Sequence, residues 1–343
     1  MKLKNLLEGL EFGVRQQAGI MSVIPLLGAD VTDKLATFED IRFKGTTSYG
    51  TMVFRNNSDK PFIIPTGYSI ITKQLAQDHA LTFASMLKPQ STQSYYNACC
   101  IQQTQGGYID GDSLKEEFSI LPLYVRKQHF QEYIKPQQRG DKQYLSFAKD
   151  DFSRLWPIIS DFQSKLIQRS EGNIVLFFNK FVDQLNKFNA EFEVVHGQRG
   201  AIILLNDKIV GIEVAPTQEY WKTVWNSLIR DCYGAEVIRR TMLNLVEEFE
   251  KSQDSELNLD KCLTIEDIEK ELKRHNKEAV ERAEELVKGL LKNNIETLSF
   301  NHELVSQNSY GDFKYFLFKA KGEAIYGEVY TDKDDIIYAS ILA

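Results

Sequence analysis

Apolar residues fall into short runs in the first half of the chain and into stripes spaced by three and four in the second. Ile20–Leu27, IMSVIPLL, predicts a buried strand interrupted by Pro25, which belongs at a sheet edge or strand end because proline donates no ladder hydrogen bond. Thr37–Ile41 predicts a short helical turn. Tyr49–Phe54 and Pro61–Pro65 flank RNNSDK, whose Asn, Ser and Asp supply turn chemistry, so the pair predicts a β-hairpin. From Tyr68 to Met86 no helical period is sustained, and the alternation in ALTFASML predicts two strands. Tyr95–Ile101 predicts another. Gly106, Gly107 and Gly111 with Asp110 and Asp112 mark a loop. Phe118–Tyr144, broken by Pro122 and Pro136, reads as an irregular surface excursion.

In the second half, Phe152, Leu155, Trp156, Ile159, Phe162 and Leu166 share one helix face despite Pro157. Phe178, Phe181, Leu185, Phe188 and Phe192 repeat the spacing, and such an aromatic stripe is core packing. Gly200–Ala215, GAIILLNDKIVGIEVA, is the clearest hairpin, with Asn206, Asp207 and Lys208 in its turn. Thr217 is placed to cap a helix carrying Trp221, Val224, Trp225, Leu228, Ile229 and Cys232 on one face, with Gly234 as its terminator. Lys251–Lys261 is polar and predicts a linker. Thr264 and Asp267 resemble a capping box ahead of a long amphipathic helix, about 264–292. Tyr315–Lys319, Ala324–Tyr330 and Ile336–Leu342 predict closing strands. The pattern describes an α+β protein, mostly antiparallel hairpins and sheet with amphipathic helices packed in the second half. Its expected division is a β-rich lobe, 1–145, and an α+β lobe, 146–343.

Composition narrows the class of partner. The 41 basic and 48 acidic residues leave a formal charge of −7, which argues against a broad nucleic-acid footprint and favours a small-molecule or protein partner. The apolar residues of MKLKNLLEGLEFGVRQQAG are broken by Asn5, Glu8, Gly9 and Glu11, so no secretory h-region forms. No apolar run reaches membrane-spanning length. A cytoplasmic protein is expected. Cys99, Cys100, Cys232 and Cys262 form no CxxC pair and have no histidine at zinc spacing, so neither a metal site nor a cofactor is expected and a reducing compartment fits. Adjacent strand residues point to opposite faces, so Cys99 and Cys100 serve different environments.

The stretch Pro61–Gly107 gathers unusual polar chemistry. Cys100 would act as a nucleophile only with a lowered pKa and a base in reach, and His79 is the histidine of the same stretch. VIPLL at Val23–Leu27, NNSDKPFIIPTGYSIITKQ at Asn56–Gln74, ACCIQQ at Ala98–Gln103, FSRLW at Phe152–Trp156 and RGAIILLNDKIVGIEV at Arg199–Val214 together resemble a prokaryotic family. It is named for association with ADP-ribosylglycohydrolases and rhodanese-phosphatase-superfamily proteins. One family signature runs Ala-Lys-Gln-Asn-Arg after a glycine; Lys73 and Gln74 keep its centre, while Leu75 and Ala76 replace its polar end. A second runs Cys-Val-Glu-Gln-Gly-Arg-Trp; Cys100, Ile101, Gln102 and Gln103 occupy its first four positions, with Gln102 in place of the acid. That replacement removes the ground for glutamate-dependent catalysis there.

The resemblance implies a ligand site built from Lys73, Gln74, Gln102 and Gln103, whose cation and carboxamides suit a phosphate, carboxylate or carbonyl. The alternative places all four on an exposed sheet surface, bonded to neighbouring backbone. Three functions follow: a binding or accessory protein for a nucleotide-like or ADP-ribose-like metabolite, a hydrolase or transferase using Lys73 and Cys100 on such a metabolite, or an oligomeric scaffold built through the long helix.

Overall fold

The computed structural model describes residues 5–46, 48–71, 78–103, 109–110, 117–133, 137–139, 142–144, 152–243, 262, 264–292, 295–298, 308–320 and 324–343. Antiparallel strands and amphipathic helices make it an α+β protein. A nine-stranded sheet forms the frame. Its order runs from Glu11–Phe12 through Met21–Leu27, Gln198–Leu205, Lys208–Val214, Asp335–Leu342, Tyr326–Asp332 and Phe313–Ala320 to Ile295–Leu298, with Gln16–Ala18 beside Met21–Leu27. Strands from both ends of the chain thus share one ladder, which crosses the division expected at residue 145.

Both faces of this sheet are largely apolar. The back face packs Ile24, Ile202, Ile212, Val329 and Ile341 beneath Ala283 and Val287 of the Ile265–Lys292 helix. That helix starts with the expected capping box, Thr264 N–H donating to Asp267 Oδ2 at 3.1 Å and Asp267 N–H to Thr264 Oγ1 at 3.1 Å. The front face carries Val23, Ala201, Ile203, Tyr330 and Leu342 against Trp221 of the Gln218–Asn226 helix and against four smaller strands, Phe62–Ile64, Ser85–Leu87, Met52–Asn56 and Tyr68–Ile71. Thr217 caps the helix, its Oγ1 accepting from Tyr220 N–H at 3.1 Å.

Four expectations are corrected. Pro25 lies within its strand rather than at an end; its carbonyl accepts from Gly13 N–H at 2.8 Å, so its amide edge faces the break between the Glu11–Phe12 and Gln16–Ala18 pairings, where no donor is needed. Met52–Asn56 and Phe62–Ile64 do not pair with each other. The first lies between Ile41–Thr46 and Thr92–Tyr95, and the second pairs Ser85–Leu87. Within the supposed surface excursion, Leu123–Tyr133 is a helix, and Pro122 opens it, its carbonyl accepting from Arg126 N–H at 3.0 Å. Its inward face mixes Leu123, Val125 and Phe130 with Arg126 and His129, all buried, so no apolar stripe betrays it.

Gly234 is the fourth. It is helical, φ −62°, and the chain runs through it from a π-helical stretch, Ser227–Gly234, into the Ala235–Met242 helix. A Cβ there would stand 2.7 Å from the Ile229 carbonyl oxygen and 2.9 Å from Phe188 Cδ1. The glycine serves close packing, not chain termination. Gly234→Ala therefore lowers the midpoint of thermal unfolding, because overpacking of about 1–3 kcal/mol outweighs the gain in helix propensity of about 1 kcal/mol; an unchanged or raised midpoint would contradict the packing role.

Candidate functional site

Strand register brings the predicted thiol and imidazole together. Ala98–Cys100 pairs His79–Leu81 with Cys100 directly opposite His79, so both side chains emerge on the same face. Cys100 Sγ stands 3.2 Å from His79 Nε2, with the thiol fully buried and the imidazole 1% exposed. Gly50 N–H donates to the same His79 Nε2 at 3.2 Å. Gly50 takes φ +76°, and a Cβ on it would press on Phe152 Cβ at 3.0 Å. Phe152 in turn accepts Cys100 N–H at 2.8 Å and stacks on Tyr49.

Burial, slightly opposed by the Gly50 N–H, pushes the Cys100 thiol up to about 12. At neutral pH this is a protonated thiol, not the thiolate a nucleophile requires. Cys99 points the other way, among Ala80, Leu121 and Ile159, as adjacent strand residues must. Gln102, two residues beyond Cys100, is buried, whereas Gln103 is exposed. Lys73 and Gln74 lie outside the described residues.

A second constellation has no counterpart in the sequence reading. Glu213, Ser340 and Glu328 are register partners on three neighbouring strands, so they form one row across the middle of the front face. All three are buried, Glu328 completely. Arg126 reaches this row from the Leu123–Tyr133 helix. Its Nη1 donates to Glu213 Oε1 at 3.1 Å and to Cys232 Sγ at 3.2 Å, and its Nη2 donates to Ser340 Oγ. Tyr233 OH adds a second bond to Glu213 Oε1, at 2.8 Å. Burial works against the Arg126 charge, but Glu213, with Cys232 and Tyr233, more than offsets it and holds the guanidinium protonated.

Among the described residues no cation contacts Glu328. Its Oε2 accepts Ala84 N–H at 2.7 Å and Tyr315 OH at 2.7 Å, while Oε1 meets Thr66 Oγ1 at 2.8 Å. Burial raises its pKa to about 7, and the bonds from Tyr315, Ala84 and Thr66 only partly offset that rise. An acid in the centre of an otherwise apolar strand, GIEV at Gly211–Val214 and YGEV at Tyr326–Val329, is the sequence signal that marks such positions.

Other buried polar clusters complete the front half. Ser119 Oγ donates to Asp231 Oδ2 at 2.9 Å, and Arg230 Nε to Asp231 Oδ1 at 2.6 Å, on the π-helical stretch. Arg154 Nε donates to His129 Nε2 at 3.3 Å; burial, then the Arg154 charge, holds that imidazole neutral. Among the described residues no group of three or more His, Cys, Asp or Glu could hold a metal ion, and no helix is long and apolar enough to cross a membrane. A surface cleft of about 490 Å³ opens between Asp30–Phe38 and the start of the Gln218–Asn226 helix. Asp30, Asp33 and Glu219 outnumber Lys60 on its walls, which disfavours phosphate.

Cys100 and Glu213 lie in segments that carry the family resemblance, and residues 9–311 match the ARG and Rhodanese-Phosphatase-superfamily-associated Protein domain. The chain belongs to that family. No curated protein and no solved structure matches it. Within this family member, the Val23–Leu27 and Arg199–Val214 segments supply strands of the large sheet, and Ala98–Gln103 brings Cys100 to His79.

Two outcomes follow. Glu328 binds its proton more tightly folded than unfolded, so its contribution to stability is full below about pH 4.5 and is lost as pH rises through 7, by on the order of 3 kcal/mol. Glu328→Gln, which places an amide N–H where the proton sits, flattens that slope in urea denaturation between pH 5 and 8; an unchanged slope would assign it to other groups. A thiol reagent at pH 8 modifies the partly exposed Cys262 first and Cys100 only as fast as the protein opens; rapid labelling of Cys100 in the folded protein would show an accessible thiolate.

Proposed function

We propose that this protein binds, or accompanies enzymes acting on, a nucleotide-like or ADP-ribose-like metabolite in the cytoplasm. The observation that carries the reading is the state of Cys100: fully buried, with its thiol pushed up to about 12 and 3.2 Å from His79 Nε2. A stretch whose thiol is held protonated offers recognition rather than nucleophilic attack. Its remaining polar groups, Gln102 and Gln103 together with Lys73 and Gln74, are donors and acceptors suited to phosphate, ribose hydroxyl and carbonyl groups. The metabolite class rests on the family's named associations, and four free cysteines agree with a reducing compartment.

Thermal unfolding in the presence of ADP-ribose, AMP, ADP and NAD tests this directly. A ligand at 100 times its dissociation constant stabilises the folded state by about 2.7 kcal/mol. At least one of the four raises the midpoint, and Lys73→Ala or Gln103→Ala removes the increment while leaving the ligand-free midpoint within a degree or two. No increment across the panel would contradict the binding reading. Turnover of any of the four that disappears in Cys100→Ala would favour the hydrolase or transferase reading. A mass that rises with concentration, without either response, would favour the scaffold.

A further inference from the structure

Between the Arg126–Glu213 ion pair and the Thr66–Tyr338–Glu328 cluster lies a small cavity of about 10 Å³. Arg126, Glu213, Thr66, Tyr338 and Trp221 line it, and every lining residue is buried. Two donors on these residues, Arg126 Nε and Trp221 Nε1, are buried with no hydrogen-bond partner in the protein. Leaving a buried donor unmade costs about 1–3 kcal/mol, more beside a charge, and more than nine in ten such groups are satisfied.

The chemistry of the walls identifies the occupant. Guanidinium and indole N–H groups only donate, so whatever they meet must accept. Glu213 already balances the Arg126 charge at 3.1 Å, so a second anion would be buried without compensation. The volume of about 10 Å³ reaches the lower end of the roughly 10–15 Å³ that one water requires. A water also donates, and Glu213, Thr66 and Tyr338, each with a side-chain oxygen able to accept, are among the lining residues.

We propose that this cavity is a binding site for a single ordered water, which accepts from Arg126 Nε and Trp221 Nε1 and donates to oxygens of its wall. The water joins the ion pair to the cluster in which Thr66 Oγ1 meets both Tyr338 OH, at 3.1 Å, and Glu328 Oε1, at 2.8 Å. The two buried acids then belong to one hydrogen-bonded array running from helix to sheet to loop.

A crystal structure of the full chain at about 1.5 Å resolution tests the site. The expected result is a density peak within about 3.2 Å of both nitrogens. Density showing a dry cavity, or either side chain turned to a protein acceptor, would overturn the proposal. In solution, the Trp221 indole proton, assigned as the resonance lost in Trp221→Phe, shows cross-relaxation with a long-lived water. Absence of that cross-peak in the folded wild-type protein would overturn it equally.

Discussion

The arrangement of this protein depends on a row of polar side chains, Glu213, Ser340 and Glu328, set by strand register across the middle of an otherwise apolar sheet face. A buried carboxylate is tolerated only when its oxygens are paired, so each acid dictates what must pack upon it. Glu213 takes Arg126 from the Leu123–Tyr133 helix, and Glu328 takes Thr66 and Ala84 from the N-terminal strands and their loops. These bonds join residues 87, 262 and 244 positions apart. They tie the small sheets to the large one in a single orientation, because a one-residue slip of either strand would turn its acid onto the back face beneath the long helix.

The glycines around this row fit the same constraint. Gly67, at φ +73°, lies so close to the Arg126 stem that a Cβ would come within 3.2 Å of its Cδ, and a Cβ on Gly211 would strike the Tyr233 hydroxyl that bonds Glu213. The front face therefore holds its polar side chains by leaving out Cβ atoms where their stems must pass. The two acids differ in character. Glu213 faces a guanidinium, whereas Glu328 is surrounded by neutral donors and sits near the middle of the physiological pH range.

Much of the frame was legible in the residues. Asn206-Asp207 between apolar runs marked a hairpin whose turn residues take φ +48° and +58°, and Thr217, Thr264 and Asp267 marked helix starts that the hydrogen bonds match. The Cys100–His79 pairing was legible as a candidate, but only register could place the two side chains on one face. What escaped was polar and buried. The Leu123–Tyr133 helix is hidden because Arg126 and His129 occupy its inward face, and the proline that opens it reads equally as a breaker. Short strands such as Met52–Asn56 and Phe62–Ile64 carry too little pattern to declare partners, and each pairs a strand other than its nearest neighbour in the hairpin reading. Lys73 and Gln74, which with Gln102 and Gln103 form the candidate ligand site, lie outside the described residues.

The polar row can be tested at its best-defined bond by a double-mutant cycle between Arg126→Met and Glu213→Gln, measured by equilibrium urea unfolding of the full chain. A clamp of this kind predicts that each single substitution destabilises by about 3–5 kcal/mol, and that the double variant loses far less than their sum, because neither charge is then left alone. Losses that add to within about 0.5 kcal/mol would mean that the two residues act independently. In that case the row would not be what holds the sheets together.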